Sequence, residues 1–424
     1  MKEGFIVAET ATSLMVPALI LFVGVIASKI SGIIKMPDIV IYLFAGILIG
    51  PAVFNLVNVD THSGANQFIL TFGAAFILYD GGREIKLKVL NEVKWTVALL
   101  ASVGVFISAI VIGFIAMKVF KIDFIYALLI GSVIASTDPA ALVPVFSKIR
   151  IVERVKQTVI SESAFNDAVG AILVFTIITI IQSGKFSLEE NAISLIKMIV
   201  FGVISGTLVG FIFSLSVSDG KFGLFTEFAP IISILAVMSS YSLAEALQGS
   251  GYMSTFVTGL ICGNKKMLKL WVPTVDFEVQ KNVRDTVTAI MKIAIFILLG
   301  MHVDFKSLSL YWKESLLIVF ALVFVVRPLS VLICTLPDRK AKWQKNEILF
   351  MMWVRETGVI PAALSGLIVS LKLPHANVVS SVVFMTIIFT LLFQATTASF
   401  VARKLNLIVP ENSEERPIPF SELK

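Results

Sequence analysis

Long apolar stretches and short polar ones alternate along the whole chain, and the apolar stretches share a length. A helix needs ~20 residues to cross the hydrocarbon core of a bilayer. Runs of about that size lie near 13–34, 39–57, 66–82, 95–119, 123–147, 157–182, 192–218, 224–246, 251–264, 284–302, 313–335, 346–371 and 376–401. The pattern predicts an all-α membrane protein with about 13 transmembrane helices. The ninth run is the shortest, as for a tilted or partly spanning helix. The first run lacks a basic segment before it and a small-residue cleavage site after it, so it is read as a retained helix. Residues 1–408 are expected to form the transmembrane domain, and 409–424 a short, solvated cytoplasmic tail.

Loop charges orient the chain. With the N-terminus outside, the inner segments carry about three times as many Lys and Arg as the outer ones, which predicts an outer N-terminus and a cytoplasmic C-terminus in a multi-pass cell-membrane protein. Omitting the ninth helix would invert everything after it and weaken that bias. The composition agrees: 57% hydrophobic residues, 15% charged residues and a mean hydropathy of +0.92. The net charge of +6 lies between apolar runs, so it does not point to nucleic acid. The basic stretch Lys148–Arg154 is chiefly a topology signal that also suits contact with anionic lipid. Cys262 and Cys334 fall in or beside apolar segments and give neither a disulfide framework nor a metal-spaced cluster, and no cofactor is expected.

Two aspartates break the pattern. Asp138 and Asp167 sit inside the fifth and sixth runs. A carboxylate at mid-bilayer costs at least ~2.5–3.5 kcal/mol, so it usually lines a polar pathway or has a partner. Pro139 follows Asp138 and cannot continue a helix, which would leave free carbonyls beside Thr137 and Asp138. Such a break is tolerated at membrane depth only where it lines a cavity or is buried in protein. Ser163 and Asp167 are four apart on one face of the next helix, and Glu162 and Asn166 share a neighbouring strip. A second interruption, Arg355-Glu356-Thr357-Gly358-Val359-Ile360-Pro361, falls in the twelfth run. Runs five and twelve are seven apart, as expected of two halves repeated about the seventh.

These residues resemble a known family. Thr137-Asp138-Pro139, followed by Glu162-Ser163-x-x-Asn166-Asp167-x-x-Gly170, is similar to the sodium/proton antiporters of the cation:proton antiporter superfamily, NhaP type. Leu243-Ala244-Glu245 and Arg327-Pro328 extend the likeness, which covers essentially the whole chain. The resemblance implies an inverted-repeat antiporter fold with interrupted crossings 5 and 12. It implies a core bundle including helices 3–6 and 10–13, dimerisation helices, and a homodimer in the lipid bilayer. The activity implied is exchange of a monovalent cation, Na⁺ or possibly Li⁺ or K⁺, for H⁺. Asp167 would bind cation or proton, Asp138 and Thr137 would line the break, and Ser163 would add an oxygen. Glu162 would pair with Arg355. Asn166 is typical of the electroneutral branch, whereas Lys292 in crossing ten is typical of the electrogenic one. Asp80, where relatives often carry glutamate, is a candidate for the cation path. Arg327 and Glu356 are further intramembrane charges. A proton-uncoupled cation channel is the main alternative. An intramembrane aspartyl protease, the enzymatic one, lacks its Gly-x-Gly-Asp partner here.

Overall fold

A computed structural model describes residues 2–34, 36–59, 63–138, 143, 146, 151–183, 188–218, 223–265, 267–268 and 277–409. The tail from 410 onward, Pro139 and the first part of the basic stretch at 148–150 lie outside the described residues. All thirteen predicted crossings correspond to helices. They are α1 (Lys2–Ile34), α2 (Asp38–Ile49), α3 (Gly64–Glu84), α4 (Leu87–Phe120), α5 (Phe124–Val133), α6 (Glu153–Ser183) and α7 (Leu188–Ser216). Then come α8 (Ala229–Ala246), α9 (Gly251–Gly263), α10 (Phe277–Met301), α11 (Phe305–Thr335), the two halves α12a (Lys345–Trp353) and α12b (Val359–Ser370), and α13 (Ala376–Lys404).

Helix ends follow local chemistry. Ser63, Ser250 and Asp304 accept a hydrogen bond from the backbone three residues on and start α3, α9 and α11. Gln344 and Glu347 form a reciprocal capping box at the start of α12a. Hydropathy carries the second apolar run to 57, but α2 ends at Ile49, where Gly50 and Pro51 stop it. The short α9 is buried along nearly its whole length, so it has little need to reach lipid. Ser240 on α8 contacts the hydroxyls of Ser254 (2.7 Å) and Thr258 (2.8 Å) on α9, and Thr258 donates to Gly206 O on α7 (3.0 Å). Small polar side chains of this kind hold membrane helices together.

The two halves echo one another. Helix α2 packs on α10 as α9 packs on α3, α1 on α2 as α8 on α9, and α4 on α6 as α11 on α13. Glycines mark the two closest backbone approaches. A Cβ on Gly46 would strike Ile297 O of α10, and one on Gly259 would strike Tyr79 O of α3. Wide π turns also recur seven crossings apart, at Leu100–Gly104 in α4 and Leu322–Val326 in α11, with a third at Thr390–Ala395 in α13.

The packing separates two bodies. Helices α4, α5, α6, α11, α12 and α13 pack mainly among themselves, and so do α1, α2, α3, α8, α9 and α10, with α7 laid on α8 and α9. Helices α3 and α10 were expected in the core bundle. They pack instead with α1, α2, α8 and α9, because their glycine faces admit α9 and α2 at backbone distance. Apolar side chains such as Phe22, Leu208 and Phe324 point outward, while Asp138, Glu162, Asp167, Arg327 and Arg355 are buried.

Candidate functional site

In the fifth run the helix ends at Val133, and the non-helical residues that follow it face the gap between α12a and α12b. After Val133 the chain leaves helical geometry through Asp138, and after Trp353 it does so through Gly358. The Asp138 N–H donates to Glu356 O (3.0 Å), and Val359 N–H donates to Asp138 Oδ2. Asp138 therefore caps α12b, where the helix dipole favours a negative group. A Cβ on residue 358 would collide with that carboxylate, so the approach requires Gly358. The opposite charge serves the opposite end. Arg355 Nη2 donates to Ile134 O (2.7 Å) and Ala135 O (2.6 Å), satisfying carbonyls that the end of α5 leaves without partners.

Arg355 is thereby committed, and it does not pair with Glu162. The partner of Glu162 is Arg327 from α11. Nη1 meets Oε1, and Nη2 donates to Oε2 at 3.0 Å. Arg327 also donates to Met351 O (3.0 Å) and Val354 O (3.3 Å), at the end of α12a. The correction has a geometric cause: Arg327 follows the π turn of α11 and reaches Glu162 on α6, whereas Arg355 lies on the unwound strand against α5. Two α13 side chains brought to the same break by its π turn went unrecognised in the sequence. Gln394 Nε2 donates to Trp353 O, and Thr390 Oγ1 accepts from Thr357 N–H (3.2 Å). Gln394 alone carried a signal, as an amide inside an apolar run.

Asp167 lies beside the unwound strand of α5. It is buried, and among the described residues neither carboxylate oxygen has a hydrogen-bond partner of normal geometry. The carboxylate of Asp138 and the hydroxyl of Ser136 are its polar neighbours. Around it the strand is held by α6. Thr137 N–H donates to Asn166 Oδ1 (3.2 Å), Asn166 Nδ2 donates to Thr137 Oγ1 (2.8 Å), and Thr137 Oγ1 donates to Ser163 Oγ (2.8 Å). Thr137, Asp138, Ser163, Asn166 and Asp167 thus converge. Hydroxyl, carboxylate and carbonyl oxygens in one buried place suit a hard monovalent cation.

Comparison with known proteins meets this geometry. Residues 18–404 match the family described as sodium/hydrogen exchanger, transmembrane. The chain belongs to that family. It is 28% identical over 411 residues to the K(+)/H(+) antiporter NhaP2 of Shewanella oneidensis, covering 96% of this chain and 68% of that protein. It is 27% identical over 412 residues to the probable Na(+)/H(+) antiporter 2 of Methanocaldococcus jannaschii, covering 90% of this chain and 94% of that one. The fold matches the structure of the sodium proton antiporter MjNhaP1 from Methanocaldococcus jannaschii at pH 8, with a TM-score of 0.78 and 26% identity over 94% of this chain and 99% of that one. The protein is a multi-pass cation/proton antiporter of NhaP type with the inverted-repeat fold, and it is a transporter rather than an enzyme.

The antiporter's remaining charges have separate places. Asp80 on α3 is paired with Arg284 of α10 (2.6 Å), and Thr288 donates to it (3.3 Å). Its partners therefore lie on α10 rather than on α5 or α6. Lys292, one turn beyond Thr288, is within electrostatic reach of Asp80. Glu356 is fully buried on the unwound strand of α12, and among the described residues neither of its carboxylate oxygens has a hydrogen-bond partner.

Proposed function

We propose that the antiporter exchanges one monovalent cation, Na⁺ in first place, for one proton, with both competing for Asp167. The observation that carries this reading is the buried Asp167 carboxylate, which among the described residues has the Ser136 hydroxyl and the Asp138 carboxylate beside it but no hydrogen bond of normal geometry, while its polar surroundings are held in place. A proton or a cation can each neutralise it, so one excludes the other. Of the buried carboxylates nearest to it, Glu162 on α6 already has Arg327, and Asp138 on the unwound strand of α5 is engaged at α12b. With Asn166 neutral and occupied by Thr137, one carboxylate changes partner per cycle, which makes the exchange electroneutral. Movement of the α4–α6 and α11–α13 body against the other would open the site to each side in turn, as in transporters built from inverted repeats. Loop charges favour an N-terminus outside and a C-terminus in the cytoplasm. The protomers pair as a homodimer, each with its own site.

K⁺ is the second reading, favoured by the name of the Shewanella relative. Both are tested in proteoliposomes carrying a pH gradient, with Na⁺, Li⁺ or K⁺ added and the potential clamped or free. The expected result is Na⁺-dependent collapse of the gradient that ignores the potential and disappears in Asp167→Asn. Collapse by K⁺ alone would reassign the cation. Cation flux with no proton coupling would indicate a channel.

A further inference from the structure

Away from the cation site, a cavity of about 570 Å³ opens between the first turns of α4 and the connection from α11 to α12a. Its floor is firmly built. The buried Asp338 carboxylate accepts from Thr96 N–H (3.1 Å), the Thr96 hydroxyl (2.8 Å) and Ala341 N–H (3.3 Å). The Trp343 indole donates to the same Thr96 hydroxyl (2.9 Å). Arg154, at the start of α6, donates to Ala341 O (2.9 Å), forms a two-pronged ion pair with Glu347, and lies 5.2 Å from the centre of the Trp343 ring. These bonds fasten the connection to α4 and α6. They also hold Lys342 at φ 46°, a left-handed conformation uncommon for a side chain that is not glycine.

The rim is cationic. Lys94, Lys340 and Lys342 line the cavity, all exposed and none ion-paired among the described residues, and Lys94 donates to Asn91 Oδ1 (2.8 Å). Glu92 is the one carboxylate in the lining, and the charge of Arg154 is already met by Glu347. The rim therefore keeps an excess of positive charge. Trp95, 57% exposed, lines the same cavity, and tryptophan concentrates at the membrane–water interface. Val103 and Phe106 on α4, Ile333 on α11 and Leu336 just past its end are exposed apolar side chains on the two helices that lead away from the cavity.

We propose that this cavity binds the phosphate-bearing headgroup of an anionic phospholipid in the leaflet that the loop charges assign to the cytoplasm. Lysine ammoniums bind phosphate as point charges. The interfacial Trp95 and the apolar flanks add what a lipid needs and a free phosphate does not. The bound lipid would join α4, the start of α6 and the start of α12a, three elements of the body that carries Asp167. The inference concerns a different place from the cation site and does not depend on which ion is carried.

The test is titration of short-chain phosphatidylglycerol into the purified full chain in neutral detergent, read by native mass spectrometry and thermal stability. Inorganic phosphate and glycerol phosphate form the soluble arms. The expected result is saturable binding of one lipid per protomer with a rise in Tm, absent for phosphatidylcholine. Combined Lys94→Gln, Lys340→Gln and Lys342→Gln should weaken it at least about tenfold, from ~1 kcal/mol per lysine at a charged lipid surface. These lysines are exposed, so Tm without lipid should be unchanged. A control with Arg403→Gln and Lys404→Gln, at the end of α13, should bind as the wild type does. Equal weakening in the control, or no saturable binding, would overturn the site. Equal stabilisation by soluble phosphate would overturn the lipid as its occupant.

Discussion

Glu162 and Asp167 stand five residues apart on α6, 2% and 3% exposed, and meet opposite fates. Glu162 receives a guanidinium through two bonds, whereas Asp167 receives no hydrogen bond of normal geometry on either oxygen from the described residues. The first is the arrangement of a structural charge. Its partner also satisfies two carbonyls at the end of α12a, so the pair braces the break itself. The second is the arrangement of a charge awaiting a ligand, since a buried ion without a partner is costly and gains most from binding a proton or a cation. One helix thus carries a brace and a site, separated by little more than one turn.

The largest effect should come from breaking the brace. Glu162→Gln leaves the Arg327 charge buried and uncompensated, at a cost of ~3–5 kcal/mol, read as a large fall in Tm or loss of folded protein. Asp167→Asn should keep or raise Tm while abolishing exchange. Equal Tm losses in the two variants would remove the distinction between them. Gly358→Ala pushes a methyl group into the Asp138 carboxylate and should cost ~1–3 kcal/mol while lowering exchange, because Asp138 and α12b must separate. Asn166→Ala releases Thr137 from two hydrogen bonds. At ~1 kcal/mol of stability each, Tm should fall modestly, and the apparent KM for the cation should rise as the strand loosens; an unchanged KM would show that the clamp does not shape the site. The smallest effect is expected from Arg284→Gln. It frees Asp80 from a partly exposed ion pair worth ~0–1 kcal/mol, so Tm should hold. A change in cation KM would place Asp80 on the path to the site, and no change would leave it a structural contact.

The legible parts of the molecule were those that hydropathy and local chemistry decide. Thirteen crossings and the breaks at Asp138 and around Gly358 follow from run lengths, proline and glycine, and the shared face of Ser163 and Asp167 from four-residue spacing. The meeting of Thr137 with Ser163, Asn166 and Asp167, by contrast, was legible only through the family resemblance of their motif. The early end of α2 lay in Gly50-Pro51, a stop signal outweighed by the apolar residues after it. Membership of α3 and α10 was less accessible, because hydropathy shows that a helix is buried without showing which neighbour it faces. The roles of Thr390 and Gln394 depend on a π turn in α13, which shifts side-chain directions without altering composition.

The sequence by itself determined that this is a membrane-spanning helical protein with two aspartates inside its apolar runs. An apolar run of membrane length has few other uses, and a carboxylate inside one is too costly to be idle. Only the tertiary structure decided which charges are neutralised. Arg327 and Arg355 are equivalent as residues, each an arginine in an apolar run far along the chain from Glu162. The rotation and tilt of α11, and the unwinding of α12, send one to the carboxylate and the other to the carbonyls of α5. Partner choice at bonding distance depends on orientation about the helix axis, which helix–helix packing sets and hydropathy does not record.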